Sequence, residues 1–253
     1  MSKKTKMIIG VAVSVLAILA AVVLILRFTG YWVGETVHFG QWDWRVLDVQ
    51  NGKALLITEN IIEQRPYDED GAGHAWETCP LRAYLNGEFL ENFTPEEQDR
   101  ICDTENVNLG NHWLGGLGRE GGGNTTDKVF LLSIEEVVDY FGDSGQLRNG
   151  KLTIDWFSVR VDDQYNSKRV AKFNNGEYEH YWNEYMWWLR SPGFMNAPSR
   201  EGALNGVRCM FGEACVDEDG TVYLSGYPDG AEGGVRPALW IELVRPALWR
   251  KLA

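Results

Sequence analysis

The sequence predicts an α+β domain in which short helices lie beside antiparallel sheets, preceded by one transmembrane helix. Three observations carry that prediction. Strand-like runs are punctuated by Asn51-Gly52, Asn149-Gly150 and Asp219-Gly220, pairs that close hairpins because Asn and Gly tolerate positive φ. Ser/Thr-x-x-Glu boxes at Thr94–Glu97 and Ser133–Glu136 open helices that are short and set between strands, the segregated order of an α+β fold. Ahead of both stands an unbroken apolar run from Met7 to Leu26, about 20 residues, long enough to cross a bilayer as a helix.

Lys3, Lys4 and Lys6 precede that run and only Arg27 follows closely, so the positive-inside rule leaves the N-terminus cytoplasmic and the rest outside. The run is too long for the apolar core of a cleaved signal peptide and is expected to stay as an anchor. The organisation that follows is a cytoplasmic tail at 1–6, an anchor at 7–27, an extracytoplasmic domain at 34–243 and a repeated tail at 244–253. The expected location is a bacterial cell membrane, crossed once. Without Lys3, Lys4, Lys6 and Arg27, 20 basic residues stand against 36 acidic ones, about −16 for the exported part. That charge argues against nucleic acid as a partner.

The domain opens with strands expected at Thr36–Phe39, Trp42–Val49 and Lys53–Thr58, a meander turned at Asn51-Gly52. Thr78 is expected to cap a helix over Cys79–Asn86 that buries Leu81 and Leu85. Thr94, Pro95 and Glu97 mark a second helix ending near Cys102. From Asp103 to Asn124 the chain is rich in Asn and Gly and reads as one long loop, functional or mobile. Lys128–Leu132 reads as a buried strand and Ser133 caps a helix to about Phe141. Leu152–Trp156 and Val170–Phe173 read as further strands, and Asp219-Gly220 joins Cys215-Val216 to Thr221–Leu224. Val235–Leu243 and Val244–Leu252 repeat almost residue for residue, Val-Arg-Pro-Ala-Leu-Trp appearing twice. The second copy is expected to find no slot in the sheet.

The domain is organised around the stretch from Tyr185 to Leu243. It opens with Trp187-Trp188-Leu189-Arg190-Ser191-Pro192-Gly193, expected as a core strand ending at the Pro-Gly turn. It closes with a second expected strand, Gly234-Val235-Arg236-Pro237-Ala238-Leu239-Trp240, entered through glycine. Trp187, Trp188 and Trp240 are expected in the core, and Arg190 and Arg236 as structural clamps on loop carbonyls or a carboxylate. These two phrases, with Trp44-Arg45-Val46-Leu47-Asp48-Val49, Leu55-Leu56-Ile57-Thr58, Trp76-Glu77-Thr78 and Thr126–Ser133, resemble a bacterial family of surface and membrane proteins known only as a domain of unknown function. The resemblance runs from about residue 36 to 243. The closing half also resembles the C-type-lectin-like fold of formylglycine-generating enzymes and variable receptor domains, which implies a scaffold that displays variable loops.

Candidate chemistry is sparse. His38, His74, His112 and His180 are isolated, without metal-binding spacing. The acidic turns Asp68-Glu69-Asp70 and Asp217-Glu218-Asp219 lack the alternating ligands of a calcium loop. Cys79, Cys102, Cys209 and Cys215 fall outside the membrane, and three pairings are open; Cys209–Cys215 is the local one and Cys79–Cys102 would tie two helices together. Resemblance to formylglycine-generating enzymes implies an alternative, a copper-dependent thiol oxidase using Cys209 and Cys215, although their spacing differs from that family's phrase. No cofactor is called for, and calcium and copper stay open. The preferred reading is a binding domain for a surface ligand, an envelope glycan, peptide or protein, with a purely structural envelope protein as a further alternative. Its contacts are expected from loops: Asn111 and Trp113 in the Gly-rich stretch, Trp182, and Phe194 to Arg200 after the Pro-Gly turn.

Overall fold

The computed structural model describes residues 31–69, 71–155, 158–173, 186–195 and 211–243. The expected anchor, the repeated tail, Trp182, Arg200 and Cys209 lie outside the described residues. No helix among the described residues is long and apolar enough to cross a membrane.

Along the chain come β1 (Thr36–Phe39), β2 (Trp42–Gln50), β3 (Lys53–Thr58), β4 (Glu63–Pro66), α1 (Pro80–Asn86), α2 (Pro95–Gln98) and β5 (Thr104–Asn106). There follow β6 (Thr125–Asp127), α3 (Ile134–Phe141), β7 (Thr153–Asp155), β8 (Ser158–Val161), α4 (Asn166–Arg169) and β9 (Trp187–Met195). The last four are β10 (Phe211–Val216), β11 (Val222–Pro228), β12 (Glu232–Val235) and β13 (Ala238–Glu242). They form a sheet-rich α+β domain with a four-stranded sheet ordered β1-β2-β3-β13, a seven-stranded sheet ordered β4-β12-β9-β10-β11-β8-β7, and the pair β5-β6. Among the described residues every pairing between these strands is antiparallel except the parallel contact of β12 with β9 at Gly234 and Trp187.

Most local signals produce local structure where the sequence expects it, but Asn149-Gly150 closes no hairpin, since it follows a helix and a turn rather than a strand. Asn51 and Gly52 turn the β2–β3 hairpin with φ of 51° and 75°. Both capping boxes are made: Thr94 and Glu97 exchange hydrogen bonds ahead of α2, and Ser133 and Glu136 do so ahead of α3. The apolar residues of α3 then fall on one face, burying Ile134, Val137, Val138 and Phe141. The first helix begins one residue later than expected, because Cys79 rather than Thr78 is its N-cap, its sulfur accepting from the Arg82 amide at 3.3 Å. The helix begun by Thr94 ends at Gln98, and Lys128 Nζ donates to the carbonyls of Gln98 and Ile101 just beyond it, each at 3.1 Å.

Several expectations are corrected. The Pro-Gly pair does not end β9: the strand runs on to Met195, with Pro192 opposite Glu213 where the β9–β10 register shifts, a bulge that tolerates the missing donor. The closing segment is two strands in two sheets. Val235 ends β12 in the large sheet, Arg236-Pro237 crosses over, and Ala238 starts β13 against β3, with Leu239 opposite Leu56. Lys128–Leu132 is buried from Val129 onward but forms only a bridge, Phe130 exchanging both backbone hydrogen bonds with Ala238. Val170–Phe173 is not a strand; it follows α4, and only Phe173 makes a bridge. The stretch from 103 to 124 is built rather than open. It holds β5 and a 3₁₀ turn at His112–Leu117.

The core joins the two larger sheets. Trp44, Trp76, Trp187 and Trp188 are all at most 1% exposed, and β9 is buried from Trp187 to Gly193, as befits a strand covered on both faces. Gly233 lies directly against the Trp188 indole, where an added Cβ would sit 2.3 Å from the ring. That contact explains why the chain enters β12 through glycine. Trp240 is only partly buried, at the edge of this core.

Candidate functional site

Asn111, Trp113 and Phe194 are brought into one neighbourhood. The 3₁₀ turn His112–Leu117 packs on β9 and β11, and Gly118 bridges Phe194. Asn111, 2% exposed, donates from Nδ2 to Pro192 O (2.8 Å) and Leu224 O (2.9 Å), so both amide hydrogens are spent holding the turn to the sheet. It is an anchor for the segment. Gly118 must be glycine, because an added Cβ would lie 1.8 Å from the Asn111 carbonyl oxygen. The returning chain is pinned as well: Asn108 Nδ2 donates to Gly123 O at 2.8 Å, and Gly123 N donates to Glu77 at 2.8 Å.

On this fixed base stand apolar side chains in contact with solvent. Val107, Leu109 and Leu117 are 55%, 53% and 52% exposed. Trp113 is partly buried and lies 4.0 Å, centroid to centroid, from the exposed His112 ring. Phe194, expected in a loop, is instead a partly buried residue of β9.

The two arginines expected as clamps are both buried. Arg190 forks onto Glu136, the same carboxylate that caps α3, and donates to Leu131 O at 2.7 Å. Arg236, 0% exposed, donates to the carbonyls of Thr58 (2.9 Å), Glu59 (3.3 Å) and Arg169 (3.4 Å). Burial pulls its pKa down to about 9, which leaves it charged at neutral pH.

A buried polar cluster that sequence reading missed lies beneath β10. Arg119 reaches from the end of the Gly-rich stretch to Glu213, to Gly212 O at 3.1 Å and to Gly73 O. Asp68 accepts from the His74 amide and ring Nδ1 at 3.0 and 2.8 Å, and its backbone amide donates to Asp229 O at 3.0 Å. Burial, outweighing Arg119 and helped by Asp229 and Asp68, pushes Glu213 up to about 8. Burial and Asp68 likewise push Asp229 up to about 6. The contrast is Asp127, equally buried but accepting from Trp76, Arg82, Asn106 and Thr125 between 2.6 and 3.0 Å, a carboxylate saturated with donors.

Cys79, Cys102 and Cys215 are free thiols, so the Cys79–Cys102 pairing does not form. Cys215 is fully buried in β10, and burial raises its pKa well above the ordinary thiol value. Cys79 is raised to about 12 by the same cause. Thiolate chemistry needs the opposite shift.

A second feature escaped the sequence. The tip of the β1–β2 hairpin, the end of β3 and the chain after it form an open cleft of about 130 Å³, lined by His38, Gln41, Trp42, Asp43, Thr58, Asn60 and Ile62. His38 and Asp43 are cross-strand partners, with Nδ1 and Oδ1 3.0 Å apart. These residues come from two distant segments, and only Gly40-Gln41 between two strand-like runs hints at the tip.

Comparison with curated proteins and with solved structures gives no match. Residues 51–243 match the family described as Domain of unknown function (DUF6273), from the β2–β3 turn to the residue after β13. The chain therefore belongs to that family.

Proposed function

We propose that this chain is a single-pass membrane protein whose domain at 34–243, C-type-lectin-like in plan, binds an envelope ligand outside the cell. The observation that carries the reading is the set of exposed apolar residues Val107, Leu109 and Leu117 on a backbone fixed by Asn111, Asn108 and close glycine contacts. Apolar side chains held out on a rigid base keep their exposed surface without paying ordering entropy on contact, which suits recognition. Trp113 adds a large aromatic beside them. The anchor read from Met7–Leu26 would display this surface outward. Fully buried Cys215, held as a thiol, favours binding over the copper-dependent alternative.

The test is site-specific photocross-linking of the full-length chain in its native membrane. A photoreactive residue at Leu117 or Leu109 should give discrete adducts, whereas the same group at Ile154, 75% exposed on the edge hairpin, should not. Equal labelling at all three positions would remove the proposed surface.

A further inference from the structure

The chain enters and leaves the domain side by side. Arg100 joins the two points: Nη2 donates to Tyr31 Oη at 3.5 Å, Nε donates to Glu242 O at 3.4 Å, and the Arg100 carbonyl accepts from the Glu242 amide at 2.8 Å. One residue on, Leu243 N donates to Gly52 O at 2.8 Å, so the backbone is held as far as Leu243. Apolar side chains meet solvent around this junction. Trp32 and Val33 are 41% and 66% exposed, and Val49, 37% exposed, stands just before the Asn51-Gly52 turn that Leu243 reaches. Arg27, which closes the apolar run, is only four residues before Tyr31, at most about 14 Å of chain. Tyr and Trp at that distance from an apolar span are suited to the headgroup level of a bilayer.

Residues 244–253 bring Arg245, Arg250 and Lys251 to this junction, with Leu248, Trp249 and Leu252 and no acid, in a protein that is otherwise strongly acidic. They repeat 235–243 except that Arg250-Lys251 stands where the first copy has Ile241-Glu242. That exchange unfits the repeat for the slot of its original. Ile241 is 0% exposed, where arginine would be an unpaired buried charge, and Glu242 lies opposite Lys53, where lysine would face a like charge. The same exchange sets two cations beside a tryptophan and between leucines, a composition that favours an anionic bilayer surface. Given the anchor proposed at 7–27, we infer that 244–253 is a second membrane contact, seated on anionic phospholipid headgroups of the same bilayer. Arg250 is seven residues beyond Leu243, at most about 25 Å of chain, so the cations can reach those headgroups from a junction tied this closely to the anchor. The domain is then held to the membrane at its entry and its exit alike.

The experiment is lipid-quenching fluorescence on the full-length chain in nanodiscs of phosphatidylcholine, alone or mixed with phosphatidylglycerol, each carrying spin-labelled lipid. An environment-sensitive fluorescent amino acid is incorporated at Leu252, at Val15 inside the apolar run, or at Ile154, which is exposed on β7, five strands from β12 in the large sheet. Val15 should be quenched in both lipids and Ile154 in neither. Leu252 should be quenched several-fold more with phosphatidylglycerol, and high salt should weaken the effect. The triple variant Arg245→Glu, Arg250→Glu and Lys251→Glu should abolish it while near-UV circular dichroism and quenching at Val15 stay unchanged. Quenching at Val15 with none at Leu252 would overturn the inference and leave the anchor standing, as would quenching at Leu252 that is equal in neutral lipid and survives the triple variant. Absence of quenching at Val15 would remove the anchor reading, and the inference with it.

Discussion

The Arg236 guanidinium lies 4.9 Å from the centroid of the Trp187 ring while donating to three backbone carbonyls from two other segments. Phe141 of α3 lies 5.5 Å away on the same charge. The residue thus ties the β12–β13 crossover to the end of β3, to α4 and to the Trp-rich strand. Glu59 is near, yet its carboxylate pairs with Arg45, so Arg236 is held by carbonyl dipoles and aromatic faces rather than by a direct ion pair.

Removing that group should be severe. Arg236→Ala strands the Thr58, Glu59 and Arg169 carbonyls and leaves a cavity, and is expected to cost at least about 3 kcal/mol. Arg236→Lys should rescue little, since one ammonium cannot span the same fork. Trp188→Ala, beside Tyr67 and Gly233, should cost roughly 3–5 kcal/mol. Denaturant midpoints of the three variants check this, and wild-type-like values would remove the clamp role.

Stability should fall as pH rises from acid toward neutral. Glu213 and Asp229 have pKa values raised by burial to about 8 and about 6, against ordinary values of 4.5 and 3.8. Between the ordinary and raised values the folded chain holds protons that the unfolded chain has released, so each unit of pH in that window destabilises the fold. The denaturant midpoint should be higher at pH 5 than at pH 8, by a margin on the order of 1–3 kcal/mol. Glu213→Gln should flatten the dependence; an unchanged slope would mean that Arg119 keeps Glu213 ionised throughout.

Asn111 and Trp113 should behave differently although they are two residues apart. Asn111→Ala leaves the Pro192 and Leu224 carbonyls without their donor and should cost about 1–3 kcal/mol. Trp113→Ala, partly exposed, should leave the melting temperature nearly unchanged. Thermal melts of both variants separate anchor from surface residue.

Topology has its own test. In a cysteine-free chain, a single cysteine at the exposed Glu88 should react with an impermeant thiol reagent on intact cells, and one at Ser2 should not. Labelling at Ser2 alone would invert the orientation.

What was legible in the sequence was local. Thr94–Glu97, Ser133–Glu136 and Asn51-Gly52 act within a few residues, so each could be placed from its own neighbours. What was not legible depends on distant chain. Val235 to Leu243 looks like one strand, and only the partners of each half, β4 and β9 for one and β3 for the other, split it at Arg236-Pro237. The glycines near 118 suggested flexibility because their role is close backbone approach, which no local pattern reveals. Asp68, Glu213 and Asp229 are far apart in sequence, and their clustering appears only once β10, β11 and the chain after β4 meet. Asn111 and Trp113 were singled out together as contact residues, but burial, which single-residue chemistry does not encode, sets them apart.

The central claim, outward binding through the Gly-rich segment, is tested most directly by cross-link yield from Leu117 in otherwise wild-type chains and in chains carrying Trp113→Ala. With both chains folded by melting temperature, the account predicts discrete adducts at Leu117 that fall several-fold when Trp113 is removed. Undiminished adducts in the Trp113→Ala chain, or none in the wild-type background, would contradict it.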